Sequence, residues 1–281
     1  MSRIEKALEK ALDLRESRTA EAGPEAAAQV ASGARHVFVP PATGLDRALI
    51  DKHVVTIMDP GSPVAEQYRK LRARILLATK KDSLNTILVT SAGVGEGKSM
   101  TAVNLAVAIA GALDHTVLLV DADLRRPAVS KYLGITPACG LGDCLSGKAT
   151  LKEAIIKTGI GRLAVLPAGN SPDNPAEALA SDRMKDLVLE LKARYMDRYV
   201  IFDSSPVLVT ADALSLGNFV DGVLLVAQAD RTSEKDLSQA VALMRGNNIL
   251  GVVLNNLPER LAAAMHPYYH NYYRGHYSEK A

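Results

Sequence analysis

Residues Ala92-Gly93-Val94-Gly95-Glu96-Gly97-Lys98-Ser99 match the spacing G-x-x-x-x-G-K-[ST] at every fixed position but the first, where alanine replaces glycine. A turn of this composition between a strand and a helix gathers backbone N–H groups that have no intrahelical acceptor, and so makes a cradle for an anion. In such a cradle Lys98 reaches the β- and γ-phosphates of a nucleoside triphosphate, and the Ser99 hydroxyl ligates Mg2+. Gly95 and Gly97 let the backbone approach where a Cβ would collide. Gly93, Val94, Glu96 and Met100 complete the stretch expected to contact the nucleotide, ATP, while Ala92 only starts the turn. The plain alternative is a glycine turn ahead of an ordinary helix. Strand, turn, Lys-Ser pair and helix all in register weigh against it.

Two acidic strand ends add to this. Val117-Leu118-Leu119-Val120 runs into Asp121-Ala122-Asp123-Leu124-Arg125-Arg126-Pro127, and Val200-Ile201-Phe202 runs into Asp203-Ser204-Ser205-Pro206. In open α/β sheets ligands bind beyond the C-terminal ends of the strands, so these carboxylates arrive where phosphate is held. Mg2+ needs hard oxygen ligands beyond those the phosphates supply. Asp203 is expected to hold the ion through a water, Asp121 to lie near it and near an attacking nucleophile, and Asp123 to complete the shell. A single Asp at a strand end is commonly a turn or helix cap. Arg125 and Arg126 are placed to clamp phosphate, to pair across a subunit boundary, or to sit on plain surface.

The elements that must carry these groups are legible from residue 64 onward. Helical periodicity runs through Val64–Ala78 and Lys98–Ala112. Strand candidates are Thr86–Thr90, Thr116–Val120, Leu163–Leu166, Tyr199–Phe202, Gly222–Ala227 and Leu250–Leu254. Continuous apolar strands separated by helix-length segments predict a doubly wound, mainly parallel sheet with helices on both faces. Asn174-Pro175-Ala176-Glu177 predicts a helix start with Asn174 as the cap and Pro175 at the first position.

Outside this body the pattern changes. Residues 1–17 carry Ile4, Leu8, Ala11 and Leu12 at helical spacing, an amphipathic helix suited to a partner, a membrane surface or its own domain. Residues 18–63 form a linker and N-terminal extension, 64–260 the nucleotide-binding domain, and 261–281 a tail. Five of the nine tyrosines, Tyr268, Tyr269, Tyr272, Tyr273 and Tyr277, fall in that tail. With no Val, Ile or Leu after Leu261, it is expected to stay mobile.

The chain has 281 residues, 48% hydrophobic but only 4% aromatic and without Trp, so its core must be aliphatic. Its formal charge of +2 argues against a general nucleic-acid binder. Cys139 and Cys144 read as small buried apolar residues rather than half a metal site. No uncharged run approaches the ~18–20 residues of a membrane span, which leaves a cytoplasmic chain as the expectation.

With the phosphate loop, [apolar]3-D-x-D-x-R at Leu118–Arg125 and [apolar]3-D-x-x-P at Val200–Pro206, the chain resembles the bacterial tyrosine kinases. These are autokinases associated with polysaccharide co-polymerases. E-x-x-R-x-x-R at Glu66, Arg69 and Arg72 is a further signature of that family, although its spacing alone reads as a solvated helix face with i, i+3 pairing. The N-terminal extension resembles the exosortase-associated branch.

The resemblance implies ATP-dependent autophosphorylation of the tail tyrosines, and Glu66, Arg69 and Arg72 docking into a neighbour to build a ring-like homo-oligomer. It also implies a membrane-embedded co-polymerase as activator and a cognate tyrosine phosphatase. Asn255 or Asn256 resembles the adenine-contacting position of the fold, with a loop cap as the alternative. Related partitioning and division-site ATPases carry a lysine where this chain has Gly93. Their function, a nucleotide switch that positions other proteins, is the competing expectation.

Overall fold

The chain divides into two units, Met1–Val39 and Pro40–Ala281. The computed structural model describes residues 45–80, 84–112, 115–193 and 198–258. The helix expected over 1–17, most of the linker and the tyrosines at 268, 269, 272, 273 and 277 lie outside the described residues.

Seven strands form one sheet: β1 (Thr86–Ser91), β2 (Thr116–Asp121), β3 (Ile156–Lys157), β4 (Leu163–Leu166), β5 (Arg198–Asp203), β6 (Gly222–Gln228) and β7 (Ile249–Asn255). Their order is β3-β4-β2-β5-β1-β6-β7, and every pairing is parallel except β3 with β4. All six expected strands are present to within one residue at each end. The two-residue β3 carries no period and left no trace in the pattern.

Parallel strands need helices on both faces because neither face can meet water, and alternation along each strand divides the load. Ile87, Val89, Leu119 and Ile201 join the cluster under the helix Lys98–Ala110. Leu88, Leu118 and Phe202 are equally buried, and their alternation turns them to the other face. There Pro175–Ala180, Asp182–Ala193 and Asp212–Gly217 pack together. Pro175 does open its helix, but the Asn174 side chain makes no capping bond. The start is set by the proline.

The packed body begins earlier than residue 64. Ile50 and Val54 are buried in the core. Asn104, wholly buried in Lys98–Ala110, accepts hydrogen bonds from the Thr56 N–H (3.1 Å) and hydroxyl (2.9 Å) and donates to the His53 carbonyl (3.1 Å). The segment contains a 3-10 turn, Arg47–Leu49, and a one-turn helix, Val55–Met58, too short to show periodicity. Among the described residues no helix is long and apolar enough to cross a membrane. Cys139 and Cys144 are both free thiols, and burial pushes Cys144 up to about 11.

Candidate active site

The phosphate loop leaves β1 at Ser91 and enters its helix at Lys98. Gly95 and Gly97 adopt left-handed φ angles of 80° and 92°, which residues with a Cβ seldom take. A Cβ on Gly97 would also collide with the Asn255 amide.

Lys98 and three carboxylates meet beside this loop. The Lys98 Nζ donates to Asp123 Oδ2 at 2.7 Å and to Ser99 Oγ at 3.1 Å, and lies 3.8 Å from Asp203 Oδ1. Asp121 and Asp203 are register partners on β2 and β5, and both are fully buried. Asp121 Oδ2 accepts from the N–H groups of Ala128 (3.1 Å) and Val129 (3.0 Å). Asp121 Oδ1 and both oxygens of Asp203 are buried without a hydrogen-bond partner among the described residues.

Burial raises the Asp121 carboxyl well above the usual carboxylate range, and the Asp203 charge adds to it. Burial likewise raises Asp203, with Lys98 and the Ser99 hydroxyl pulling the other way. Burial alone would lower Lys98, but Asp203, Asp123 and Asp121 together raise it. Asp121 Oδ1 and the Asp203 carboxylate, which Lys98 meets only at 3.8 Å, are costly to bury unless something more meets them. A hydrated divalent cation fits that donor set, because Mg2+ prefers oxygen ligands and keeps several waters.

A cavity of about 330 Å³ opens over this cluster. Of the residues singled out in the sequence, Val94, Gly95, Gly97, Lys98, Ser99, Met100, Asp123 and Arg125 line it. Arg126, singled out with Arg125, lines it as well, and so does Tyr132, which was not. Gly93, Glu96, Asp121, Asp203 and Asn255 do not; Asp121 and Asp203 lie beneath it, and Glu96 turns inward, 5% exposed, and accepts from the Thr232 hydroxyl at 2.6 Å.

Two of the expected contact residues have partners within the chain. Arg125 is committed within the chain: its Nε and Nη2 donate to Asp212 at 2.8 and 3.3 Å, so this ion pair competes with a clamp on phosphate. Asn255 donates to the Glu96 carbonyl at 3.0 Å and thus props the loop. Glu66 and Arg69 form the i, i+3 pair at 2.6 Å, and Arg72 donates to the Ala108 carbonyl at 2.9 Å. Arg69 and Arg72 line a second hollow of about 320 Å³. Asp212 and Thr232 were not foreseen. They lie 87 and 136 residues from the groups they touch, so no local pattern marks them.

The AAA domain family model matches residues 84–247. The chain is 38% identical over 208 residues to the tyrosine-protein kinase YwqD of Bacillus subtilis, covering 73% of this chain and 86% of that one. Its fold matches the kinase domain of Escherichia coli tyrosine kinase ETK with a TM-score of 0.70 at 32% identity, over 74% of this chain and 81% of that one. The Pyrococcus furiosus cell division ATPase MinD is a weaker likeness, with a TM-score of 0.53 at 27% identity, over 62% of this chain and 73% of that one. Phosphate loop, carboxylate cluster and likeness agree: the chain belongs to the bacterial tyrosine kinases and is a P-loop protein-tyrosine kinase.

Proposed function

We propose that the chain uses Mg·ATP to phosphorylate its own C-terminal tyrosines, Tyr268, Tyr269, Tyr272, Tyr273 and Tyr277, between subunits of a ring-like assembly. The observation that carries this reading is the cluster of Lys98 with Asp121, Asp123 and Asp203 at the mouth of the phosphate loop.

Phosphoryl transfer asks a protein mainly for positioning and for charge placed where charge develops. Loop amides and the first turn of Lys98–Ala110 hold the phosphates. Lys98 exchanges Asp123 for the transferring phosphoryl group and neutralises its equatorial oxygens. Ser99, Asp121 and Asp203 are the residues that would hold Mg2+, which when bound supplies further positive charge to the phosphates. Asp121 orients the incoming tyrosine hydroxyl and takes its proton; the Ala128 and Val129 amides keep one of its oxygens fixed.

Glu66, Arg69 and Arg72 are assigned to the subunit contact. A membrane-embedded polysaccharide co-polymerase is the proposed activator, holding a cytoplasmic kinase at the inner membrane to control exopolysaccharide synthesis, with a tyrosine phosphatase resetting the tail. Each phosphotyrosine adds about −1.5 to −2 charges, so a phosphorylated tail is expected to loosen the ring.

Labelled ATP tests the reading. Label is expected to stay on the wild-type chain and to disappear when the five tail tyrosines become phenylalanine. In a mixture, active tail-truncated subunits should label Lys98→Met chains. Release of phosphate with no label on protein would leave a nucleotide-switched ATPase instead.

A further inference from the structure

Glu96 occupies an unconstrained position of the phosphate-loop motif, yet it is buried, and an acid there opposes the anion the loop receives. Its neighbours on both sides, Gly95 and Gly97, are left-handed glycines, the least conformationally restricted residues of the turn. Left to its backbone, the loop would not hold one shape.

Two strand ends reach across to Glu96. From β7, Asn255 Nδ2 donates to the Glu96 carbonyl at 3.0 Å. From the turn after β6, Thr232 Oγ1 donates to Glu96 Oε1 at 2.6 Å. Thr232 Oγ1 also accepts from the Gln228 N–H at 2.8 Å, so its hydrogen and one of its two lone pairs are both engaged. That turn is itself over-determined: the Thr232 N–H returns to the Gln228 carbonyl at 2.9 Å, and Asp230 is forced to a left-handed φ of 58°. Arg231 lies over Gly95, with Nη1 3.4 Å from its carbonyl oxygen.

We infer that Glu96 is a positioning residue of the phosphate loop, and that the Thr232–Glu96 bond latches the loop into its nucleotide-receiving shape. The inference rests on the nucleotide reading of the site. Without the latch the two glycines regain their freedom, and ordering them is charged against ligand binding. A hydrogen bond to a charged group is strong enough to shift affinity by about tenfold to hundredfold.

The test is a double-mutant cycle on the full chain, with Mg·ATP affinity read by titration calorimetry. Thr232→Val and Glu96→Ala are each expected to weaken binding about tenfold or more, the double variant no more than the weaker single. Thr232→Ser should recover most of the affinity. Hydrogen exchange at residues 93–98 should quicken in Thr232→Val while β1 and β5 keep their protection, a change that general destabilisation would not confine to the loop. Should Thr232→Val fail to fold, Glu96→Ala carries the exchange comparison. Wild-type affinity in Thr232→Val, additive losses in the double variant, or no rescue by serine overturns the latch. Absence of Mg·ATP binding by the wild type overturns the nucleotide reading before it.

Discussion

Asp121 and Asp203 face each other in register at the C-terminal ends of adjacent parallel strands, both without solvent exposure. Two like charges so placed raise each other's free energy, beyond the cost of burial itself. Lys98 neutralises the cluster only in part, with its shorter contact made to Asp123. The site therefore holds electrostatic strain that a cation can relieve.

It follows that Asp121→Asn should stabilise the metal-free protein while disabling it. The amide can still accept from the Ala128 and Val129 N–H groups, and the cost of burying a carboxyl that its surroundings push up to about 8 is gone. A rise of a few degrees in Tm at neutral pH without Mg2+ is expected, since about 1 kcal/mol moves a domain of this size by ~2–4 °C. Phosphoryl transfer should fall by about 100-fold or more. Calorimetry and labelled-ATP kinetics on the same preparation check both; a variant that melts lower than wild type contradicts the strain.

Asn104→Ala should release the segment before residue 63. Its side chain joins Lys98–Ala110 to His53 and Thr56 through three hydrogen bonds, and its loss leaves buried groups without partners. A cost of about 2–3 kcal/mol is expected, read from urea unfolding. Limited proteolysis should show faster cleavage between residues 45 and 62. Unchanged cleavage would show that Ile50 and Val54 hold the segment unaided.

Asp143 sets a pH dependence remote from the phosphate loop. Burial would raise its carboxyl, but hydrogen bonds from the Asn170 side chain (2.8 Å), the Asn170 N–H (3.0 Å) and the Gly140 N–H (2.8 Å) hold it below the ordinary 3.8. A carboxyl lowered in the folded state contributes stability that is complete above the unfolded value and lost as pH falls through the folded one. Between neutral pH and about 4 its contribution should be constant; below that, wild type should lose Tm faster than Asp143→Asn. Parallel melting curves down to pH 3 would refute this.

Arg69→Ala separates stability from assembly. Its pair with Glu66 spans i and i+3 on a helix surface, with the Arg69 side chain 41% exposed, a geometry worth about 0.5 kcal/mol or less. The monomer's Tm should hardly move. If Glu66, Arg69 and Arg72 meet a neighbouring subunit, sedimentation should nevertheless show smaller assemblies. Full-sized assemblies from Arg69→Ala would remove this residue from the contact.

What the sequence could disclose follows the range of the interactions. β1, β2 and β5 are buried at nearly every position, so their apolar runs and terminal acids stand out, and the phosphate loop is a local pattern from end to end. The Thr56–Asn104, Arg125–Asp212 and Glu96–Thr232 contacts join residues 48, 87 and 136 apart. Each is a pairing of ordinary polar residues that only the folded chain brings together. Arg125 shows the consequence: its motif left a phosphate clamp, a subunit boundary and plain surface all open, and only the fold sets it against the buried Asp212.

The helix Lys98–Ala110 has eleven buried residues, leaving only Lys98 and Met100 outside that set. It is wedged between the sheet and Pro63–Lys80, and cannot shift without disturbing the whole interior. Lys98 and Ser99 thus form a fixed jaw, and the contacts on Glu96 hold Val94–Gly97 opposite it. A nucleotide entering between them has few backbone residues left to immobilise, each at roughly 1–2 kcal/mol.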